Sequence, residues 1–131
     1  MGYDKSGKRI EGDRWIYPEL AAAGIWTTPQ DLGKYALHLF KAFQGKDNSV
    51  LEQAQIIKGL TIENADYRRM LLLHNVGFYW GGASMGFRTQ FSGDLEKGNI
   101  VVVFMNSHEN WQFMHEVFSE TWNYLNNKID Q

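Results

Sequence analysis

Apolar side chains recur at helical spacing in three stretches of this chain and alternate or cluster at strand spacing in three others. The first helical pattern starts at Thr28: Leu32, Tyr35, Ala36, Leu39, Phe40 and Phe43 fall on one face. Thr27 or Thr28 can cap it, Pro29 suits the first helical position, and Asp31 favours the positive end of the helix dipole. Gly45 is the expected stop. Residues 50–62, with Val50, Leu51, Ala54, Ile57 and Leu60, predict a shorter second helix. Residues 63–69 are polar and read as a connection. From Met70 the period changes, and Met70-Leu71-Leu72-Leu73 fits a helix end or a strand start.

Three strands follow. His74 to Trp80 reads as a strand closing on Gly81-Gly82. Phe87, Thr89 and Phe91 alternate with Arg88 and Gln90, the pattern of a half-buried strand. After a turn over Ser92–Gly98, Asn99–Met105 carries Ile100-Val101-Val102-Val103-Phe104, a run too apolar for a sheet edge and expected at the centre. Closeness in sequence predicts antiparallel pairing of these last two strands. The chain ends in a helix from about His108 to Asn127, with Trp111, Met114, Phe118, Trp122 and Leu125 as its apolar stripe and Asn106, Ser107 and Asn110 as candidate caps. The expected class is α+β: an antiparallel sheet of three or more strands, the C-terminal helix on one face, further helices from the N-terminal part. Residues 1–14 are polar and Gly-rich and read as a flexible or linker segment, where a cut would fall if the chain came from a larger one. Residues 15–131 form a single domain.

Composition narrows the function classes. The chain has 131 residues and a net charge of −2, which argues against a dedicated nucleic-acid binder needing a concentrated basic face. With no cysteine, disulfides, thiolate metal sites and a Cys nucleophile are excluded. No apolar run approaches the roughly 20 residues of a membrane span, and Met1–Arg9 is not followed by the apolar core of a signal peptide. Aromatic residues reach 15% and include Trp15, Trp26, Trp80, Trp111 and Trp122. Such rings bury large areas and equip a small chain with a real core.

Candidate chemistry is sparse. His38, His74, His108 and His115 form neither HxH nor HExxH; His108 and His115 are read as sharing a face of the last helix, without a metal-ligand set. No metal or cofactor motif is present: the Gly-rich run Gly81–Gly86 lacks the Gly-Lys-Ser/Thr of a phosphate loop and precedes a strand, so it does not read as a dinucleotide fingerprint. A serine nucleophile needs a neighbouring base. None of Ser6, Ser49, Ser84, Ser92, Ser107 and Ser119 is followed by Lys three residues on. Ser84 in Gly82-Ala83-Ser84-Met85-Gly86 matches a nucleophile-elbow pattern, but a strand follows where that elbow opens a helix. Tyr124-Leu125-Asn126 matches Tyr-x-Asn, yet it lies in the final helix.

Three stretches in order resemble the penicillin-recognising serine hydrolases, the group of class C β-lactamases, D-Ala peptidases and related esterases. Tyr17–Leu32 (YPELAAAGIWTTPQDL) resembles their AAGLWSTAxDL segment. Phe78–Gln90 (FYWGGASMGFRTQ) resembles FGHGGxxxGF and the strand after it. Gly98–Ser107 (GNIVVVFMNS) resembles GxGVVVLTNS. The resemblance covers residue 15 to the end and implies a partial β-lactamase-like fold. It also implies that Trp80, Gly81 and Gly82 stand where the family's cleft strand carries Lys-Thr-Gly, His-x-Gly or Trp-x-Gly, with the Ala83 N–H as candidate oxyanion donor. The family's Ser-x-x-Lys and Tyr-x-Asn precede the first of these segments and are missing here, so no complete catalytic set is present. The resemblance thus implies a C-terminal fragment, a divergent remnant or half of a split site. Its partner would be the missing N-terminal half, and it would take a small acyl, lactam or peptide substrate only when completed. Family members are often exported in bacteria, though no signal peptide stands in this chain. The other expectation is a non-catalytic binding or self-association module.

Overall fold

The computed structural model describes residues 1–12, 16–18, 23–46, 52–60 and 77–128. In chain order these form α1 (Pro29–Phe43), α2 (Gln53–Leu60), β1 (Gly77–Ser84), β2 (Phe87–Asp94), β3 (Ile100–Met105) and α3 (Trp111–Lys128). Val50, Leu51, residues 63–73, and the first part of the expected strand, His74 included, lie outside the described residues.

Helix α1 begins and ends where its sequence says. Thr28 is extended (φ −106°, ψ 157°) and its side-chain oxygen accepts from the Asp31 N–H at 3.1 Å. The Thr28 hydroxyl donates to an Asp31 carboxylate oxygen at 3.0 Å, completing a reciprocal cap. At the other end Gly45 takes φ +66°. Its N–H donates to Ala42 and that of Lys46 to Lys41, so two terminal carbonyls find partners in a Schellman closure. Ala36, Leu39 and Ala42 are buried, with Leu32, Phe40 and Phe43 packed around them, while Tyr35, expected on this face, is exposed at its margin.

The sheet is antiparallel in the order β1-β2-β3. Strand alternation gives it two faces. One carries Phe78 and Phe91, packed edge to face at 5.5 Å, and meets α1 and Ile56 of α2 together with Leu95. The other meets α3, where Phe118 packs edge-on to Tyr79 at 6.2 Å and lies parallel to Trp122. Met114 and Phe118 are buried beneath α3, whereas Trp111, expected in that stripe, is exposed. The α+β class is therefore present, with helices on both faces of a three-stranded sheet.

Several sequence expectations change. β1 does not close on Gly81-Gly82; it runs through both glycines to Ser84, pairing them with Gln90 and Thr89, and the turn is Met85-Gly86. β2 continues to Asp94 because Ser92 and Gly93 pair on both sides. β3 is not central among the described strands: β2 is, and β3 lies at the margin. Its unbroken apolar run has another cause, since α1 packs on one of its faces and α3 on the other. His108 precedes α3 instead of lying on it, so it does not share a helical face with His115.

The Gly-rich opening segment, read in sequence as loop, is tied to the sheet. The Tyr3 N–H donates to the Asn106 carbonyl at 3.1 Å, the His108 N–H donates to Tyr3 at 3.2 Å, and the Ile10 N–H donates to Gly2 at 3.0 Å. Gly86 (φ +70°) permits the approach: a Cβ there would stand 2.6 Å from Ile10 Cδ1 and 2.7 Å from the Tyr3 nitrogen. One Asp4 carboxylate oxygen accepts from the Ser6 N–H, the Ser6 hydroxyl and the Lys8 N–H at 2.7–2.9 Å. Among the described residues the buried Gln90 amide nitrogen has no hydrogen-bond partner, a loss of about 1–3 kcal/mol for a group of this kind.

Glycine packing and the Asp4 carboxyl each set a testable expectation. A Cβ at Gly93 would lie 2.4 Å from the Phe78 ring, which is buried and cannot retreat. Gly93→Ala should lower stability by about 1–3 kcal/mol in urea titrations. Gly33→Ala, in α1 with open space around it, should raise stability by about 0.5–1 kcal/mol. The second concerns acid. The Ser6 hydroxyl bond, then the Lys8 N–H bond, holds the Asp4 carboxyl below its ordinary range. A lowered folded-state pKa contributes stability above the unfolded value that disappears as pH falls through the folded one. The protection factors of the Tyr3 and Ile10 amides, taken relative to the intrinsic exchange rate at each pH, should therefore fall below the usual Asp pKa before those of central β2 respond, and Asp4→Asn should abolish that pH dependence.

Candidate functional site

The residues singled out from sequence lie together at one end of β1. Trp80 is 41% exposed, Gly81 and Ala83 are exposed, and Gly82 and Ser84 are half-buried. Their backbone directions follow from the turn. A two-residue connection makes Ser84 and Phe87 the closing hydrogen-bonded pair. The pairs Gly82↔Thr89, Trp80↔Phe91 and Phe78↔Gly93 then bond as well. The intervening Tyr79, Gly81 and Ala83 turn their N–H and C=O groups away from β2. An independent contact agrees: the Asp94 N–H donates to Asn99 across the β2–β3 side at 2.8 Å, which fixes the same parity from the other strand. The Ala83 N–H thus points away from β2, to the side of β1 on which no other described strand lies.

The three stretches that carry the family resemblance come together. Trp26 packs edge-on against Phe87 at 5.5 Å, and the Met85 N–H donates to the Tyr17 phenol oxygen at 3.3 Å. The segment before α1 therefore lies against the β1–β2 hairpin, and β3 pairs with β2 beside it. Glu19–Ala22 of the first stretch, and Trp15, are outside the described residues. Ile16, Ile25 and Trp26 of this segment and Trp80 and Met85 of the hairpin are exposed. Sequence reading did not assign Tyr17, Trp26 or Met85 to a site. Only the tertiary approach of residues 16–28 to the hairpin joins them.

The glycines divide by what surrounds them. At Gly82 a Cβ would stand 2.8 Å from the Thr89 hydroxyl oxygen, so packing against β2 accounts for this residue. At Gly81 it would meet nothing closer than 3.5 Å, so no steric demand accounts for that one. Ser84 closes a strand–turn–strand unit, and its hydroxyl has no hydrogen bond to His, Lys or a carboxylate among the described residues. Tyr124 is exposed on α3, and the Asn126 side chain is engaged with Asn99 and the Trp122 carbonyl, so this Tyr-x-Asn match is part of the helix packing. His38 and His115 are exposed on separate helices, and the His108 carbonyl accepts from Arg88 Nε at 2.7 Å. Among the described residues no three His, Asp or Glu side chains gather as a metal site.

The arrangement can offer a backbone donor to a negatively charged oxygen and an apolar wall beside it. It holds no activated nucleophile within the described residues. No family model matches the chain, and neither a curated protein nor a solved structure matches it.

The steric reading of Gly82 is checkable. Gly82→Ala should destabilise the fold and Thr89→Ala in the same chain should recover part of the loss. A double-mutant cycle should give a coupling of about 0.5–3 kcal/mol, whereas Gly81→Ala should stay within about 0.5 kcal/mol of the parent.

Proposed function

We propose that this chain supplies one wall of the substrate cleft of a β-lactamase-like serine hydrolase, as a C-terminal fragment or divergent remnant that is inactive by itself. The observation that carries the reading is the geometry of β1. Trp80-Gly81-Gly82-Ala83 is extended, exposed except for the half-buried Gly82, and at the margin of the described strands, with the Ala83 N–H turned away from β2. A donor so placed stabilises charge that develops on an attacked carbonyl oxygen and does little before then. The ordered approach of the three resembling stretches supports the same reading. Acyl transfer also needs a nucleophile and a base, which in this reading belong to another polypeptide. Once completed, the cleft would take a small acyl, lactam or peptide substrate.

A second reading is a non-catalytic binding or self-association module. It is favoured by the exposed Ile16, Ile25, Trp26, Trp80 and Met85, since contiguous apolar surface of more than a few hundred Å² marks an interaction site. Ser84 as an independent nucleophile is the weakest reading, because its hairpin provides no base.

Turnover separates these readings. With nitrocefin or p-nitrophenyl acetate, the purified chain should hydrolyse no faster than its Trp80→Ala and Ser84→Ala variants, and a fluorophosphonate probe should leave Ser84 unlabelled. Adding a polypeptide that carries Ser-x-x-Lys and Tyr-x-Asn segments of this family should restore hydrolysis, and Ala83→Pro, which deletes the donor N–H, should lower the restored kcat about 100-fold or more. Hydrolysis by the chain alone that disappears in Ser84→Ala would overturn the proposal.

A further inference from the structure

The opening segment reaches the candidate donor by two routes. The first is steric contact. Gly2 is buried against the β1–β2 turn, where a Cβ would stand 2.7 Å from Phe87 Cε2 and 3.0 Å from the Gly86 oxygen. From the other side, a Cβ on Gly86 would stand 2.8 Å from the Gly2 carbonyl carbon. An approach that needs a bare α-carbon on each side is a specific docking, not a loose tail. Phe87, the ring that Gly2 touches, also packs edge-on to Trp26 and pairs with Ser84, the residue after Ala83.

The second route is hydrogen-bonded. The Tyr3 N–H donates to the Asn106 carbonyl at 3.1 Å, and the Tyr3 carbonyl accepts from the His108 N–H at 3.2 Å. The His108 carbonyl in turn accepts from Arg88 Nε at 2.7 Å in a half-buried position. Arg88 stands opposite Ala83 in the β1–β2 register. Both routes therefore end beside Ala83, one at Phe87 and one at Arg88. The segment itself is held by few bonds and by an exposed ion pair, Lys5 with Glu109 at 3.9 Å, which contributes little. Segments so held open at a free energy below that of the global fold.

We infer that residues 1–10 are a brace that positions the candidate donor: docked, they hold the Ser84–Phe87 end of the hairpin and with it the direction of the Ala83 N–H. Undocked, they release both. The functional half of this rests on the cleft reading; the mechanical coupling does not. Gly2 and Tyr3 are positioning residues, acting through the hairpin. Their effect falls on kcat and not on substrate affinity, because an oxyanion donor acts on charge that appears only in the transition state.

Amide exchange on the intact chain tests the coupling. Tyr3, His108, Ser84 and Phe87 should share one opening free energy, below that of Gln90 and Val103, which pair in the middle of the β2–β3 ladder. Gly2→Ala leaves the turn sequence intact and should lower the protection of all four about fivefold or more, with Gln90 and Val103 unchanged. Tyr3→Pro, which deletes the N–H donated to Asn106, should do the same by the other route. Loss confined to Tyr3 and His108 in both variants would overturn the inference, and so would an equal loss at Gln90 and Val103. With the Ser-x-x-Lys and Tyr-x-Asn polypeptide added, Gly2→Ala should lower kcat and leave KM unchanged; an unchanged kcat despite coupled exchange overturns the positioning role. No turnover in the completed parent counts against the cleft reading alone, and the exchange pattern still decides the brace.

Discussion

The register of the β1–β2 hairpin is the constraint on which the remaining structure depends. Strand side chains alternate faces, so a slip of one residue would move Phe78 and Phe91 from the α1 side to the α3 side and exchange the inward and outward backbone groups. Three contacts hold it. The Met85-Gly86 turn allows Ser84 and Phe87 to close the pair. Gly93 leaves room for the Phe78 ring, which an added Cβ would strike at 2.4 Å. The Ser92 hydroxyl donates to the Phe78 carbonyl at 2.7 Å in a buried position. The N-terminal segment adds a clamp from outside, since its close approach to Gly86 requires that glycine in the turn.

What was legible in sequence depended on how local the cause was. α1 was legible because its first-turn proline and C-terminal glycine act within a few positions, although the sequence left Thr27 and Thr28 open as caps and put the exposed Tyr35 on the packed face. α3 was legible in its period but not in its start, because His108–Asn110 are held by contacts to Tyr3 and Arg88 that no local pattern encodes. β3 was read as central because its residues are apolar on both faces. Burial by helices above and below produces the same pattern as burial by strands on either side, and periodicity cannot separate them. The glycines of β1 were read as a turn for a similar reason: a glycine that makes room for Thr89 looks, in a sequence, like a glycine that bends the chain.

The candidate site was legible as residues and not as a site. Trp80, Gly81, Gly82 and Ala83 came from resemblance, and the structure places them in one extended strand, with Gly82 half-buried and the other three exposed. The direction of the Ala83 N–H needed the hairpin parity. The apolar surface of Trp26 and Met85 needed the packing of residues 16–28 on the turn. Neither is encoded within a window of a dozen residues. Ser84 shows the opposite case, a five-residue pattern that matches a catalytic motif and folds into a hairpin without a base.

The two margins of the described sheet differ in their side chains. The β1 edge carries two glycines and an exposed Trp80 and turns the N–H groups of Tyr79, Gly81 and Ala83 away from β2, with no close neighbour where a Gly81 side chain would stand. Under the function proposed above, the Ala83 N–H is the donor to an acyl oxygen. The β3 edge is continuous and mostly β-branched, with α1 packed on one of its faces and α3 on the other. A single hairpin register produces both, because each strand turns half of its backbone groups away from β2. A change at one edge need not alter the other, because β2 lies between them and pairs with both strands.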